Sequence, residues 1–71
     1  MIDIVALTEH DVGKWVTYRK GPRVNRGRIK AWDDRFVYVV YWVGYTEDWD
    51  RFKEYNAIAT LPEDLDFDTL S

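Results

Sequence analysis

Apolar side chains in this chain come in short runs of alternating polarity, and the most concentrated run lies in the middle. Seven of the eight residues from Phe36 to Val43 are Val, Phe or Tyr, and Trp42 completes the set. β-branched and aromatic residues suit a pleated, half-buried surface, so the run predicts a strand over 36–43. A second run, about Val24 to Trp32, meets it at Asp33-Asp34, and the two predict a β-hairpin. On period 2 the central strand divides into Val37, Val39, Tyr41 and Val43, assigned to the core, and Phe36, Tyr38, Val40 and Trp42, assigned to a partly exposed face. The preceding strand puts Gly27, Ile29 and Ala31 inward and Arg26, Arg28, Lys30 and Trp32 outward. Small residues around Ile29 fit a sheet that curls tightly.

The flanking segments supply the remaining elements. Thr8 to Asp11 reads as one helical turn capped by Thr8, with Gly13 free to take φ > 0 as the chain turns. Lys14 to Arg19 alternates as a strand with Val16 and Tyr18 inward. Gly21-Pro22 breaks the pairing, which predicts a loop over 20–25 carrying Lys20, Arg23 and Asn25 into solvent. In the mixed stretch 45–55, Tyr45, Trp49 and Phe52 fall at i, i+4 and i+7. That spacing predicts a short helix or ordered loop with Thr46 as N-cap. A fourth strand is expected at 54–60, then a 3₁₀ turn over Thr60 to Asp64 built on Pro62, and a fifth strand, Leu65 to Phe67, that closes the sheet. Asp68 to Ser71 should fray.

Residues 1–71 therefore read as one all-β domain. A central strand apolar on both faces must be wrapped by others, so the expected architecture is a small, closed or nearly closed five-stranded sheet. Four strands, a one-turn 3₁₀ helix and a short fifth strand is the order of the SH3-like barrels, the group that includes Tudor, chromo-barrel and KOW-type domains. The likeness extends to residues. Asp11 to Tyr18 (DVGKWVTY), Gly27 to Tyr41 (GRIKAWDDRFVYVVY) and Ala59 to Phe67 (ATLPEDLDF) resemble small SH3-like proteins encoded by bacteriophages and prophages, with the layout DxGxxVxY, GxIxxWNDxxVFVxY and ATxPEDLxF. That resemblance implies fold and viral origin and transfers no functional residue. The chain departs from the layout at Asp33, where Asn is commoner, and in its long aromatic insert over 44–55, where a specialised surface is expected. Val39 to Tyr45 with Trp49 also resembles, more loosely, the chromo-type segment whose aromatics cage methylated lysine.

Composition narrows the chemistry. Seventy-one residues lie near the lower size at which a chain buries enough apolar surface to fold unaided. Four Trp, five Tyr and three Phe compensate with bulk. With no cysteine, disulfides, thiolate nucleophiles and thiolate metal sites are excluded. The N-terminal stretch lacks a basic leader and carries Asp3, and no run reaches the length of a membrane span, so a reducing cytoplasmic setting is expected, in the bacterial host if the chain is viral. His10, the sole histidine, has no partner implied by spacing. Glu63, Asp64, Asp66 and Asp68 follow no metal-binding pattern, and no glycine loop cradles phosphate. The expectation is a non-enzyme with no cofactor and no small-molecule substrate.

Two surfaces remain as candidates. Tyr45, Trp49, Phe52 and Tyr55, rimmed by Glu47, Asp48, Asp50 and Glu54, have the make-up of a protein-binding patch, suited to a host or phage protein or to self-association. The competing reading folds these aromatics back as a lid on the core. The alternative function is nucleic-acid binding: residues 14–30 hold seven basic residues and no acid, and the outward residues Arg26, Arg28, Lys30, Trp32, Tyr38 and Trp42 combine cations with stacking surfaces. Against it stands a net charge of −3. The basic segment has a plainer use as well, neutralising the acidic last third across neighbouring strands.

Overall fold

The computed structural model describes residues 1–68. Five strands, β1 (Trp15–Lys20), β2 (Arg23–Trp32), β3 (Val37–Val40), β4 (Ile58–Thr60) and β5 (Leu65–Phe67), form one antiparallel sheet in the order β4-β3-β2-β1-β5. Four 3₁₀ segments accompany them, Ile4–Ala6, Glu9–Asp11, Thr46–Glu54 and Pro62–Asp64. Among the described residues β4 and β5 are the two edges and do not pair with each other, so the backbone ladder is open where a closed or nearly closed sheet was expected. The long β2 joins the halves: residues 23–28 pair with β1 and residues 28–32 with β3. No helix among the described residues is long and apolar enough to cross a membrane.

The N-terminal turn follows from its sequence. Thr8 Oγ1 accepts from the backbone N–H of His10, and the Asp11 carboxylate accepts from the N–H of Thr8, a reciprocal cap. Gly13, at φ 90°, then turns the chain into β1. The β1–β2 connection differs from the expected loop over 20–25. Only Gly21 and Pro22 lie outside the strands, Lys20 faces Arg23, and Gly21 has φ 59°. Glycine at the first central position and a fixed-φ proline at the second make a two-residue hairpin turn, so the proline ends no strand.

A bulge between Ile29 and Ala31 shifts the register of β2 against β3. One extra residue reverses the side-chain alternation beyond it. Ala31, expected inside, is exposed, while Trp32, expected outside, packs on the core. That core holds Ile2, Val16, Ile29, Val37, Val39 and Leu65, with Tyr18 and Tyr41 packed against it. It occupies one face of the sheet and uses Val16 and the Val37–Val39 set as expected.

The other face, expected to be partly exposed, carries a second core, and Val43, expected inward with Val37 and Val39, belongs to it because the chain leaves the sheet after Val40. Val40 is fully buried, and with Val43 and Phe52 it lies beneath the Thr46–Glu54 segment, flanked by Trp49 and Tyr55. β3 ends at Val40, shorter than the expected 36–43, and β4 is confined to 58–60 rather than 54–60. Both strands are short because 41–57 leaves the sheet to cover its outer face. Tyr45, not Thr46, occupies the N-cap position, without a side-chain cap. Pro62 begins its 3₁₀ turn, and β5 spans 65–67 as expected. Asp68, expected to fray, donates its backbone N–H to Trp15 O at 2.9 Å and pairs through its carboxylate with Arg26; positions 69–71 of that expected frayed end lie outside the described residues.

Candidate functional site

The Thr46–Glu54 segment decides which of the two expected surfaces exist. The segment is two short 3₁₀ stretches joined by a kink at Arg51 (φ −111°, ψ 29°), with Tyr55 extended at its end. Both stretches turn aromatic side chains to the sheet: Phe52 is buried, and Trp49 and Tyr55 are half-buried against Val40 and Val43. The Trp49 ring lies 4.7 Å from that of Trp15. Tyr45 precedes the helical residues in an extended conformation and is exposed. Of Tyr45, Trp49, Phe52 and Tyr55, the last three pack toward the sheet in the manner of the lid reading, and Tyr45 alone is strongly exposed. Tyr55 OH donates to Asp48 at 2.5 Å, which raises the tyrosine pKa above its ordinary value.

Cations of the outer face anchor this lid. Arg28 donates from Nε to Gly13 O at 2.6 Å and from Nη1 to Trp49 O at 2.8 Å, and its guanidinium lies 4.5 Å from the Phe52 ring and 5.5 Å from that of Trp15. Lys30 Nζ donates to Tyr55 O at 2.9 Å, at the carbonyl-bearing end of the segment, where a cation is favoured. Arg26 pairs with Asp68 and stacks 4.3 Å from Trp15. Tyr38 OH donates to Asp33 at 2.5 Å, and Asp33 also accepts from the N–H groups of Arg35 and Phe36. These bonds hold the Asp33 carboxyl below its ordinary pKa and raise that of Tyr38.

The expected nucleic-acid face is thereby dispersed. Arg26, Arg28 and Lys30 have intramolecular partners, Trp32 packs on the core, Tyr38 holds the β2–β3 turn, and Trp42 alone of the six is strongly exposed, at 72%. Of the seven basic residues from 14 to 30, Lys14 also pairs with an acid, Asp11. Arg19, Lys20 and Arg23, at the hairpin tip, form no ion pair among the described residues. His10 is exposed at the N-terminal turn. Among the described residues no three metal-ligating side chains come together.

A different site emerges where β1 and β2 run past the core. Tyr18 faces Asn25 across the hairpin and Lys20 faces Arg23, which puts all four on one side of it. Opposite stand the edge strand β4 and the chain after β3. Between them lies an open groove of about 580 Å³, with Tyr18, Tyr41 and Trp42 as its aromatic lining, Ile58 and Leu61 along the β4 side, and Asp64 at its margin. Trp42, Ile58 (61% exposed) and Leu61 present apolar surface to solvent. Tyr41 OH and Thr60 Oγ1 bond at 2.8 Å, and the Thr60 hydroxyl donates to Ile58 O, which ties the floor to β4. Burial raises the Tyr41 pKa, so its hydroxyl stays neutral.

Period-2 reasoning placed Tyr18 and Tyr41 inward, and they are half-buried at the groove floor. The groove itself draws on residues from β1, β2, β4 and the turn after β4, distant in sequence, and the loop expected over 20–25 hid the cross-strand placement of Lys20 and Arg23. The one available signal was Gly21-Pro22 read as a two-residue turn. Comparisons with protein-family models, with curated proteins and with solved structures found no match for this chain.

Proposed function

We propose that this protein is a non-catalytic interaction module of the small SH3-like barrel type, of phage kind, that docks a segment of another protein, host or viral, in the groove between the β1–β2 hairpin and β4. The strand order β4-β3-β2-β1-β5 with a 3₁₀ turn directly before β5 supports the SH3-like reading. The observation that carries the docking role is the groove of about 580 Å³ with Trp42 exposed on its wall. Solvent-facing tryptophan beside a concave, partly apolar surface is the make-up of a binding hot spot. The outer edge of β4, which has no strand partner among the described residues, adds main-chain groups that an extended segment satisfies by strand addition.

Affinity capture from bacterial lysate with wild type, Trp42→Ala and Tyr45→Ala tests the reading. A stoichiometric protein retained by wild type and Tyr45→Ala and lost with Trp42→Ala is the expected result. Equal capture by all three, with each variant folded by circular dichroism, removes the groove as the docking site.

A further inference from the structure

We infer that the segment taken by the groove is acidic: an extended peptide whose carboxylates pair with Lys20 and Arg23 while an aliphatic or aromatic side chain packs on Trp42. This rests on the docking role argued above and adds the chemistry of the partner. Lys20 and Arg23 are paired positions across the hairpin, exposed, and without an ion pair among the described residues. Like charges directly opposite each other repel and destabilise the strands that carry them. The basic residues nearer the lid are engaged within the chain: Lys14 has Asp11, Arg26 has Asp68, and Arg28 and Lys30 have backbone carbonyls, whereas of the unpaired cations at the hairpin tip only Lys20 and Arg23 line the groove. A carboxylate from outside relieves the repulsion at the tip and forms charge-assisted hydrogen bonds with both heads.

An acidic peptide fits better than a nucleic acid. Binding along a phosphate backbone draws on a row of cations, and this groove offers two, with Asp64 at its margin and a net charge of −3 behind it. A peptide needs few charges, and it uses what a polynucleotide does not: the outer edge of β4 and the apolar surface of Ile58 and Leu61.

The test is selection of a displayed random-peptide library on the intact protein, followed by titration of the selected peptides and of the oligonucleotide dT10 by backbone amide NMR. The expected outcome is enrichment of Asp- and Glu-containing peptides that shift amides of 18–25, 42 and 58–61. Their affinity should fall about tenfold in the double variant Lys20→Gln/Arg23→Gln, from up to about fivefold per exposed charge pair. Both positions are solvent-exposed, so the variant keeps the wild-type spectrum elsewhere. Selected peptides that are neutral or basic and still depend on Trp42 overturn the acidic specificity and leave the docking role intact. No selected peptide at the groove, or dT10 binding there more tightly than any peptide, overturns both.

Discussion

Arg28 Nη1 donates to the backbone carbonyl of Trp49 at 2.8 Å, so a side chain of the central strand β2 holds the segment that covers its own outer face. The same guanidinium reaches Gly13 O and lies 4.5 Å from the Phe52 ring. Lysine at this position keeps the charge and loses the planar fork that serves two carbonyls at once. Arg28→Lys should therefore cost about 2 kcal/mol, in the range for hydrogen bonds to a charged group. Urea denaturation measures the loss, and a weakened near-ultraviolet signal from the Trp15–Trp49 pair reports the loosened lid.

Phe52 and Tyr45 separate lid from surface. Phe52 is 6% exposed beside Val40 and Val43, whereas Tyr45 is 71% exposed. Phe52→Ala should cost about 3–5 kcal/mol through lost burial and the cavity left behind. Tyr45→Ala should stay within about 0.5 kcal/mol of wild type. Equal losses from the two would contradict the burial of Phe52 beneath the lid.

Gly27 admits no side chain. A Cβ there would lie 2.4 Å from the carbonyl oxygen of Val40 and 2.7 Å from Val39 Cγ1, and backbone on a paired strand has nowhere to go. Gly27→Ala should separate β2 from β3 at a cost of about 3 kcal/mol or more, at the upper end of overpacking effects. Gly21→Ala meets no atom and is strained only by its positive φ, so the milder loss there isolates conformation from crowding. Thermal melts of the two variants make the comparison.

Stability should be level between about pH 5 and pH 9 and decline on both sides. On the acid side, hydrogen bonds from Tyr38 and the N–H groups of Phe36 and Arg35 hold Asp33 below its ordinary 3.8, and Lys14 and the Thr8 N–H do the same for Asp11. A lowered folded pKa gives stability that is present above the unfolded value and lost as pH falls through the folded one. On the alkaline side, Tyr38 and Tyr55 are raised by their carboxylate partners and Tyr41 by burial. Their contribution is complete below pH 10 and lost as pH rises through the folded values. Melting temperature against pH checks both limbs, and Asp33→Asn should flatten the acid one.

Local chemistry made most elements legible in the chain. The Thr8 cap, Gly13, the Asp33-Asp34 turn, Pro62 and β5 each depend on residues within a few positions of one another, so their outcome was written into short stretches. The same holds for Val16, Ile29, Val37 and Val39, whose alternation is a property of the strand they sit on.

Burial of the second face depended on long-range packing. Val40, Arg28 and Lys30 had the parity of exposed positions, and nothing nearby in the chain told that residues 46–54 would fold over them as two 3₁₀ stretches kinked at Arg51. The bulge at Ile29–Ala31 likewise arises from how two strands fit, and it reversed Ala31 and Trp32. The groove needed even more: it exists only where the overhanging hairpin meets β4, and its two cations, Lys20 and Arg23, became distinguishable from Lys14, Arg26, Arg28 and Lys30 once acids and carbonyls had claimed those four. Alternation and turn chemistry are encoded residue by residue, whereas which surface stays open is set by which distant segments compete to cover it.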